Sequence, residues 1–193
     1  MFIRTVAQTP RSPGGDRVVH EARTLGVPSR IGRGSGAGRA GTFVLKPGDQ
    51  APDFACPDDQ GRLFRLCRDG GSRGTVLFFY PGDFTPICTR EVCRFNASLA
   101  KLAERGWALV GVSPDPPARH ELFKKRYGLS LRLLCDPDRS LFRLYGCLVP
   151  VLRWPMRVSW VVNANQKILE RVHAEFRIRR HEQVLERLLT ECE

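Results

Sequence analysis

No stretch of this chain approaches the ~20 consecutive apolar residues of a membrane-spanning helix, so no such span is expected. Its seven cysteines are irregularly spaced and no two form a C-x-x-C pair, which argues against a disulfide framework and against a zinc finger. The histidines His20, His120, His173 and His181 are too scattered to supply the missing metal ligands. Gly32-x-Gly34-x-Gly36-x-Gly38 has no strand before it and no helix after it, so it is not a phosphate-binding loop. Acids are scarce at the start, where Asp16 and Glu21 stand against seven arginines in residues 1–42. No apolar core follows the basic beginning, so no secretory signal is expected.

What is present suits one buried domain plus an appendage: 193 residues, 42% hydrophobic and 26% charged. Unpaired cysteines fit a reducing compartment, with the cytoplasm as the expected location. The net charge of +11 has no nucleic-acid-binding motif beside it, so nucleic acid is not an expected partner. Residues 1–42 are rich in Gly and Arg and can bury little apolar surface; they read as a disordered extension or as an organellar transit segment.

Residues 43–193 read as the globular domain. Short strands around Phe54–Cys56 and Leu63–Leu66 flank the turn signal Asp58-Asp59-Gln60-Gly61 and predict a β-hairpin. Buried-type strands are predicted at Thr75–Tyr80, Trp107–Val112, Leu131–Cys135, Val158–Asn163 and Lys167–His173. Helices are predicted from about Pro86, at Pro117–Tyr127, after Asp136-Pro137, and over Val184, Leu185, Leu188 and Leu189. Strands alternating with helices and closing in a hairpin make an α/β fold with a mixed sheet flanked by helices.

The chemistry concentrates in Tyr80-Pro81-Gly82-Asp83-Phe84-Thr85-Pro86-Ile87-Cys88-Thr89-Arg90-Glu91-Val92-Cys93. An apolar strand is broken by Pro81 and Gly82, and Cys88 falls in the first turn of the following helix. Unpaired N–H groups and the positive end of the helix dipole there stabilise a thiolate, the nucleophilic form of cysteine. Cys88, Val92, Phe95, Leu99 and Leu102 recur at helical spacing, so Cys88 lies on the core-facing stripe. A cysteine on such a stripe is ordinarily a small buried hydrophobe, Thr85 an ordinary N-cap and Pro86 an ordinary first-turn proline.

Pro81, Thr85 and Cys88 match the active-site pattern of the peroxiredoxins, and the following Thr89, Glu91 and Cys93 resemble their bacterioferritin-comigratory, or Q-type, branch. The resemblance runs through most of residues 44–190. Ile87 replaces that branch's usual glycine, and Asp83-Phe84-Thr85 looks more like the typical two-cysteine peroxiredoxins. The resemblance implies a thioredoxin-like fold and a thiol peroxidase acting on hydrogen peroxide and organic hydroperoxides without metal, haem or flavin. It implies Cys88 as the attacking sulfur, Cys93 as the thiol that resolves it, thioredoxin or a similar dithiol as reductant, and a monomer or weak homodimer. It also implies that Arg157, just before Ser159-Trp160-Val161-Val162, is the arginine beside the thiolate, with Arg153 as competitor. Thr85 would hydrogen-bond the peroxide, Pro81 would restrict the loop, and Glu91 either orients the arginine or is a helix-surface carboxylate. Residues five apart in an intact helix lie about 140° round the axis, with Cα atoms roughly 8.6 Å apart against a disulfide limit of ~7 Å. A Cys88–Cys93 bond therefore requires the first helical turns to unwind. Cys56, Cys67, Cys135, Cys147 and Cys192 remain alternative partners. A redox sensor or binding module of the same fold, without sustained peroxidase turnover, is the alternative reading.

Overall fold

The computed structural model describes residues 45–190; the expected extension at 1–42 and Cys192 lie outside them. Strands β1 (Ala55–Pro57) and β2 (Leu63–Arg65) form the expected antiparallel hairpin, with Cys56 opposite Phe64. A single turn, α1 (Leu66–Asp69), follows it and was not expected from periodicity.

The main sheet has the order β5-β4-β3-β6-β7, built from β3 (Gly74–Phe79), β4 (Trp107–Ser113), β5 (Arg132–Cys135), β6 (Val158–Asn163) and β7 (Ile168–His173). β3 runs parallel to β4 and antiparallel to β6. It is buried along its whole length, which is why Thr75–Phe79 reads as an unbroken apolar run rather than an alternating one.

The two faces of the sheet carry separate cores. Val76, Phe78 and Tyr80 point to one, which receives α2 (Pro86–Glu104), α3 (Pro117–Tyr127) and α5 (Ile178–Thr190) through Val92, Phe95, Phe123, Val184 and Leu188. Leu77 and Phe79 point to the other, closed by Phe54 and Phe64 of the hairpin region and by Leu141 and Phe142 of α4 (Ser140–Leu144). The mixed sheet flanked by helices is thus as expected. At about 1.5–3 kcal/mol for each large apolar side chain buried, the α2 stripe anchors that helix firmly. The exception on the stripe is Glu91, fully buried among apolar neighbours.

None of the described helices is long and apolar enough to cross a membrane.

Candidate active site

β3 delivers the chain to the edge of the core, and residues 80–85 turn it into α2. Phe84 sits in the left-handed region at φ 62°, where a bulky residue is strained unless its surroundings fix it. They do so here: its ring meets the Phe123 ring edge-on at 5.2 Å, and the Arg119 guanidinium lies 5.3 Å from its centre.

Beneath this loop lies a buried polar network that the sequence did not reveal. Tyr80 Oη donates to Asp83 Oδ1 (2.8 Å), and His120 Nδ1 meets Asp83 Oδ2 (2.8 Å), with both His120 and Asp83 fully buried. The Asp83 N–H donates to Asp115 Oδ2 (2.6 Å), and Arg119 Nη2 donates to the Asp83 carbonyl (3.0 Å). Burial alone would pull His120 down, but its hydrogen bond to Asp83 prevails and holds it up at about 9. The imidazolium from α3 therefore fastens the loop from below. A histidine thirty-seven positions from its aspartate carries no local signal of that pairing.

Cys88 is the third residue of α2 and is 1% exposed. Val158 pairs with Phe79, so Arg157, one residue earlier, stands at the end of β3 where the loop begins. Its Nη2 donates to Cys88 Sγ at 3.1 Å. The rest of the guanidinium is clamped: Nε donates to the Glu175 carbonyl (3.0 Å) and Nη1 to Glu91 Oε2. The Arg157 N–H also donates to Glu175 Oε1 (3.0 Å). Arg153, the competitor, is exposed in the loop before β6, with its carbonyl accepting from Arg139.

Glu91 lies one turn after Cys88, so one arginine faces a carboxyl and a thiol on the same helix face. The helix-surface reading of Glu91 is therefore overturned, because the residue is fully buried. Burial pushes its carboxyl up to about 7 against the pull of Arg157, and its Oε1 has no hydrogen-bond partner among the described residues. Glu175 had no signal in the sequence, since what it offers Arg157 includes a main-chain carbonyl.

His181 of α5 supports the Glu175 segment: its Nε2 lies 3.1 Å from the Ala174 carbonyl and its Nδ1 2.8 Å from Ser159 Oγ. A carbonyl can only accept, so Nε2 carries the proton and Nδ1 accepts from the hydroxyl. Burial accordingly pulls His181 down to about 4.

The remaining expected residues are nearby. Thr85 stands at the N-cap position, but its hydroxyl donates to the Gly82 carbonyl (3.3 Å) and caps nothing, which corrects the ordinary N-cap reading. Pro86 does open the helix, and Pro81 is half-buried at the start of the loop. Cys93 is half-buried within an intact α2 and is a free thiol, as is Cys88. Burial raises the Cys93 thiol. The alternative partners divide by face: Cys56 and Cys147 belong to the core on the other side of the sheet, where burial pushes both thiols up to about 12. Cys135 is buried with its carbonyl accepting from Cys56 Sγ at 3.3 Å, and Cys67 is exposed on α1. Among the described residues no cluster of His, Cys, Asp and Glu has the makings of a metal site.

Residues 47–171 match the AhpC/TSA family. The chain is 31% identical over 181 residues to chloroplastic peroxiredoxin Q of Oryza sativa subsp. japonica, covering 92% of this chain and 83% of that one. It is 39% identical over 99 residues to peroxiredoxin Bcp of Bacillus subtilis, covering 51% of this chain and 62% of the relative. Two similar Mycobacterium tuberculosis proteins are covered over 66% of their length, just under two thirds. The crystal structure of peroxidoxin BcpB from M. tuberculosis superposes with a TM-score of 0.67 at 31% identity, over 75% of this chain and 96% of that one.

Proposed function

The chain belongs to the AhpC/TSA family, with relatives of the Q/Bcp type, and on that premise we propose that it is a thiol-dependent peroxidase whose attacking sulfur is Cys88. The observation that carries the reading is the 3.1 Å contact from Arg157 Nη2 to Cys88 Sγ at the first turn of α2. A buried thiolate needs a permanent cation beside it, and a guanidinium stays charged at any working pH.

The Cys88 thiolate attacks one peroxide oxygen, the O–O bond breaks, and the other oxygen departs with a proton as water or an alcohol. Arg157 stabilises the sulfur before attack and the developing oxygen charge during it. Thr85, on the exposed side of the loop, exchanges its bond to Gly82 for one to the incoming peroxide. Pro81 and the His120–Asp83 clamp hold that loop in place.

The resulting sulfenic acid condenses with Cys93, releasing water and forming a disulfide that thioredoxin or a similar dithiol reduces. Hydrogen peroxide and organic hydroperoxides are the substrates, and no metal, haem or flavin takes part. The expected location is the cytoplasm, or an organelle if residues 1–42 direct import.

Peroxide consumption coupled to thioredoxin and its reductase, with mass-spectrometric mapping of the linked cysteines, tests the reading. Sustained turnover with a Cys88–Cys93 link supports it; oxidation without turnover would make the protein a sensor.

A further inference from the structure

Between α4 and β6 the chain makes a narrow hairpin whose tip, residues 150–154, is exposed at every position. Its stem is fixed: Leu148 bridges Pro155, the Met156 N–H donates to the Cys147 carbonyl (2.8 Å), and the Val149 N–H donates to the Trp154 carbonyl (2.9 Å). The tip reads Pro150-Val151-Leu152-Arg153-Trp154, apolar apart from one arginine. Val151 is 94% exposed, Leu152 78% and Trp154 65%. A consecutive apolar run left in water contributes nothing to the core and marks a contact surface.

The backbone holds these side chains out under strain. Val151 and Arg153 both lie in the left-handed region, at φ 67° and 54°. For a β-branched residue such as valine that conformation is unfavourable, and it persists only where the surroundings impose it. Here the Arg153 N–H donates to the Val149 carbonyl (2.9 Å), the Leu152 N–H to the Pro150 carbonyl (2.8 Å), and Arg139 Nη1 to the Arg153 carbonyl (3.1 Å). The tip is therefore ordered before any partner arrives, and docking it costs little further conformational entropy.

Charge says what covers it. Arg153 sits within the apolar tip and Arg139 beside it, and neither forms an ion pair among the described residues. Asp138, the exposed acid next to Arg139, is paired with Arg143 (4.0 Å). A second copy of this chain, at +11, would set the same arginines against these, and residues 1–42 carry seven arginines against Asp16 and Glu21, so both occupants are repelled. Val151 touches almost nothing of its own chain, so the tip projects rather than lining a cleft for a partner's side chain. A projecting apolar tip flanked by arginines fits a deformable surface that is anionic outside and apolar within. Tryptophan favours that boundary, because its ring is apolar and its N–H polar.

We propose that residues 150–154 dock the protein on an anionic lipid surface, with Val151, Leu152 and Trp154 entering the boundary between headgroups and acyl chains and Arg139 and Arg153 meeting lipid phosphates. The contact is peripheral and does not depend on the peroxidase reading. It orients the molecule: Arg157 follows Trp154 by three residues, so docking sets the segment that leads to the Cys88 site against the lipid.

Trp154 is a built-in reporter, because Trp107 and Trp160 are buried. The full chain is mixed with vesicles of equimolar phosphatidylserine and phosphatidylcholine, or of phosphatidylcholine alone. With the anionic vesicles tryptophan emission should shift to the blue and be quenched by acyl-brominated lipid, with an affinity at least about tenfold above that for neutral vesicles at about 100 mM salt. Val151→Ser/Leu152→Ser should weaken vesicle binding at least about tenfold with unchanged circular dichroism, and Arg153→Gln about fivefold. No binding to anionic vesicles would overturn the proposal. So would binding that leaves Trp154 emission unmoved and is undiminished in the Val151/Leu152 variant, since charge elsewhere would then suffice. Shielding of Trp154 from acrylamide in the lipid-free protein would also overturn it, the tip being covered already by its own chain or by a second copy, which sedimentation equilibrium tells apart. An equal blue shift with soluble polyglutamate would assign the tip to an acidic polypeptide instead.

Discussion

Cys88 and Glu91 share one guanidinium, and in the proposed thiolate form of Cys88 a single cation cannot fully compensate two anions in a buried site. Below about pH 7 the Glu91 carboxyl is protonated and the charge of Arg157 serves the sulfur; above it the carboxylate competes. The rate of Cys88 alkylation should therefore show an inflection near pH 7 that disappears in Glu91→Gln. Arg157→Ala should slow oxidation of Cys88 by roughly 10- to 100-fold, the loss of one charge-assisted hydrogen bond of ~1.5–3 kcal/mol. Arg157→Lys should recover part of that loss, because an ammonium keeps the charge without the fork that reaches Glu91, Cys88 and Glu175 together. Stopped-flow oxidation of these variants checks both expectations; an unchanged rate in Arg157→Ala would remove this arginine from the chemistry. Cys88→Ser should abolish turnover while keeping the wild-type circular dichroism, as serine is nearly isosteric and is not ionised near neutral pH.

The element whose behaviour matters most is α2. Forming the Cys88–Cys93 bond means unwinding turns that now hold the Glu91–Arg157 pair and the buried side chain of Val92, the latter worth about 1.5–3 kcal/mol. Oxidation should thus increase amide hydrogen exchange in the turns after Pro86, with the sheet unaffected. Cys93→Ser should still consume one equivalent of peroxide rapidly, then accumulate sulfenic and sulfinic acid and lose most thioredoxin-linked turnover. Normal turnover there, with Cys88 linked to another cysteine, would displace Cys93 as resolver. Cys56 and Cys147 are poor substitutes, because the sheet separates their core from that of Cys88.

For the whole molecule, two buried histidines set opposite limits on pH stability. His120 is raised from 6.5 to about 9, so its pairing with Asp83 contributes fully below pH 6.5 and is lost as pH rises through 9. That loss is on the order of 3 kcal/mol at most, from ~1.36 kcal/mol per unit. His181 is lowered from 6.5 to about 4, so its contribution is present above pH 6.5 and is lost as pH falls through 4. Thermal melts across pH should decline on both sides, and His120→Gln should flatten the alkaline decline. An alkaline arm unchanged in that variant would refute the clamp.

Apart from the single turn α1, the order of strands and helices was legible in the sequence because it depends on local periodicity: the continuous run of β3, the stripe of α2 and the hairpin signal Asp58–Gly61 are all short-range. So was the candidate nucleophile, since a broken strand followed by a helix start is a local pattern, and Pro81, Thr85 and Cys93 accompany it. Arg157 was chosen over Arg153 mainly by resemblance. Its selection in space comes from the antiparallel register of β6 on β3, a long-range pairing that sets one arginine against the sulfur and leaves the other in solvent. The burial of Glu91, the clamp of His120 on Asp83 and the carbonyl of Glu175 were invisible for the same reason. Charge burial and hydrogen-bond partnership are properties of what packs against a residue, and only the closed sheet with its helices decided them.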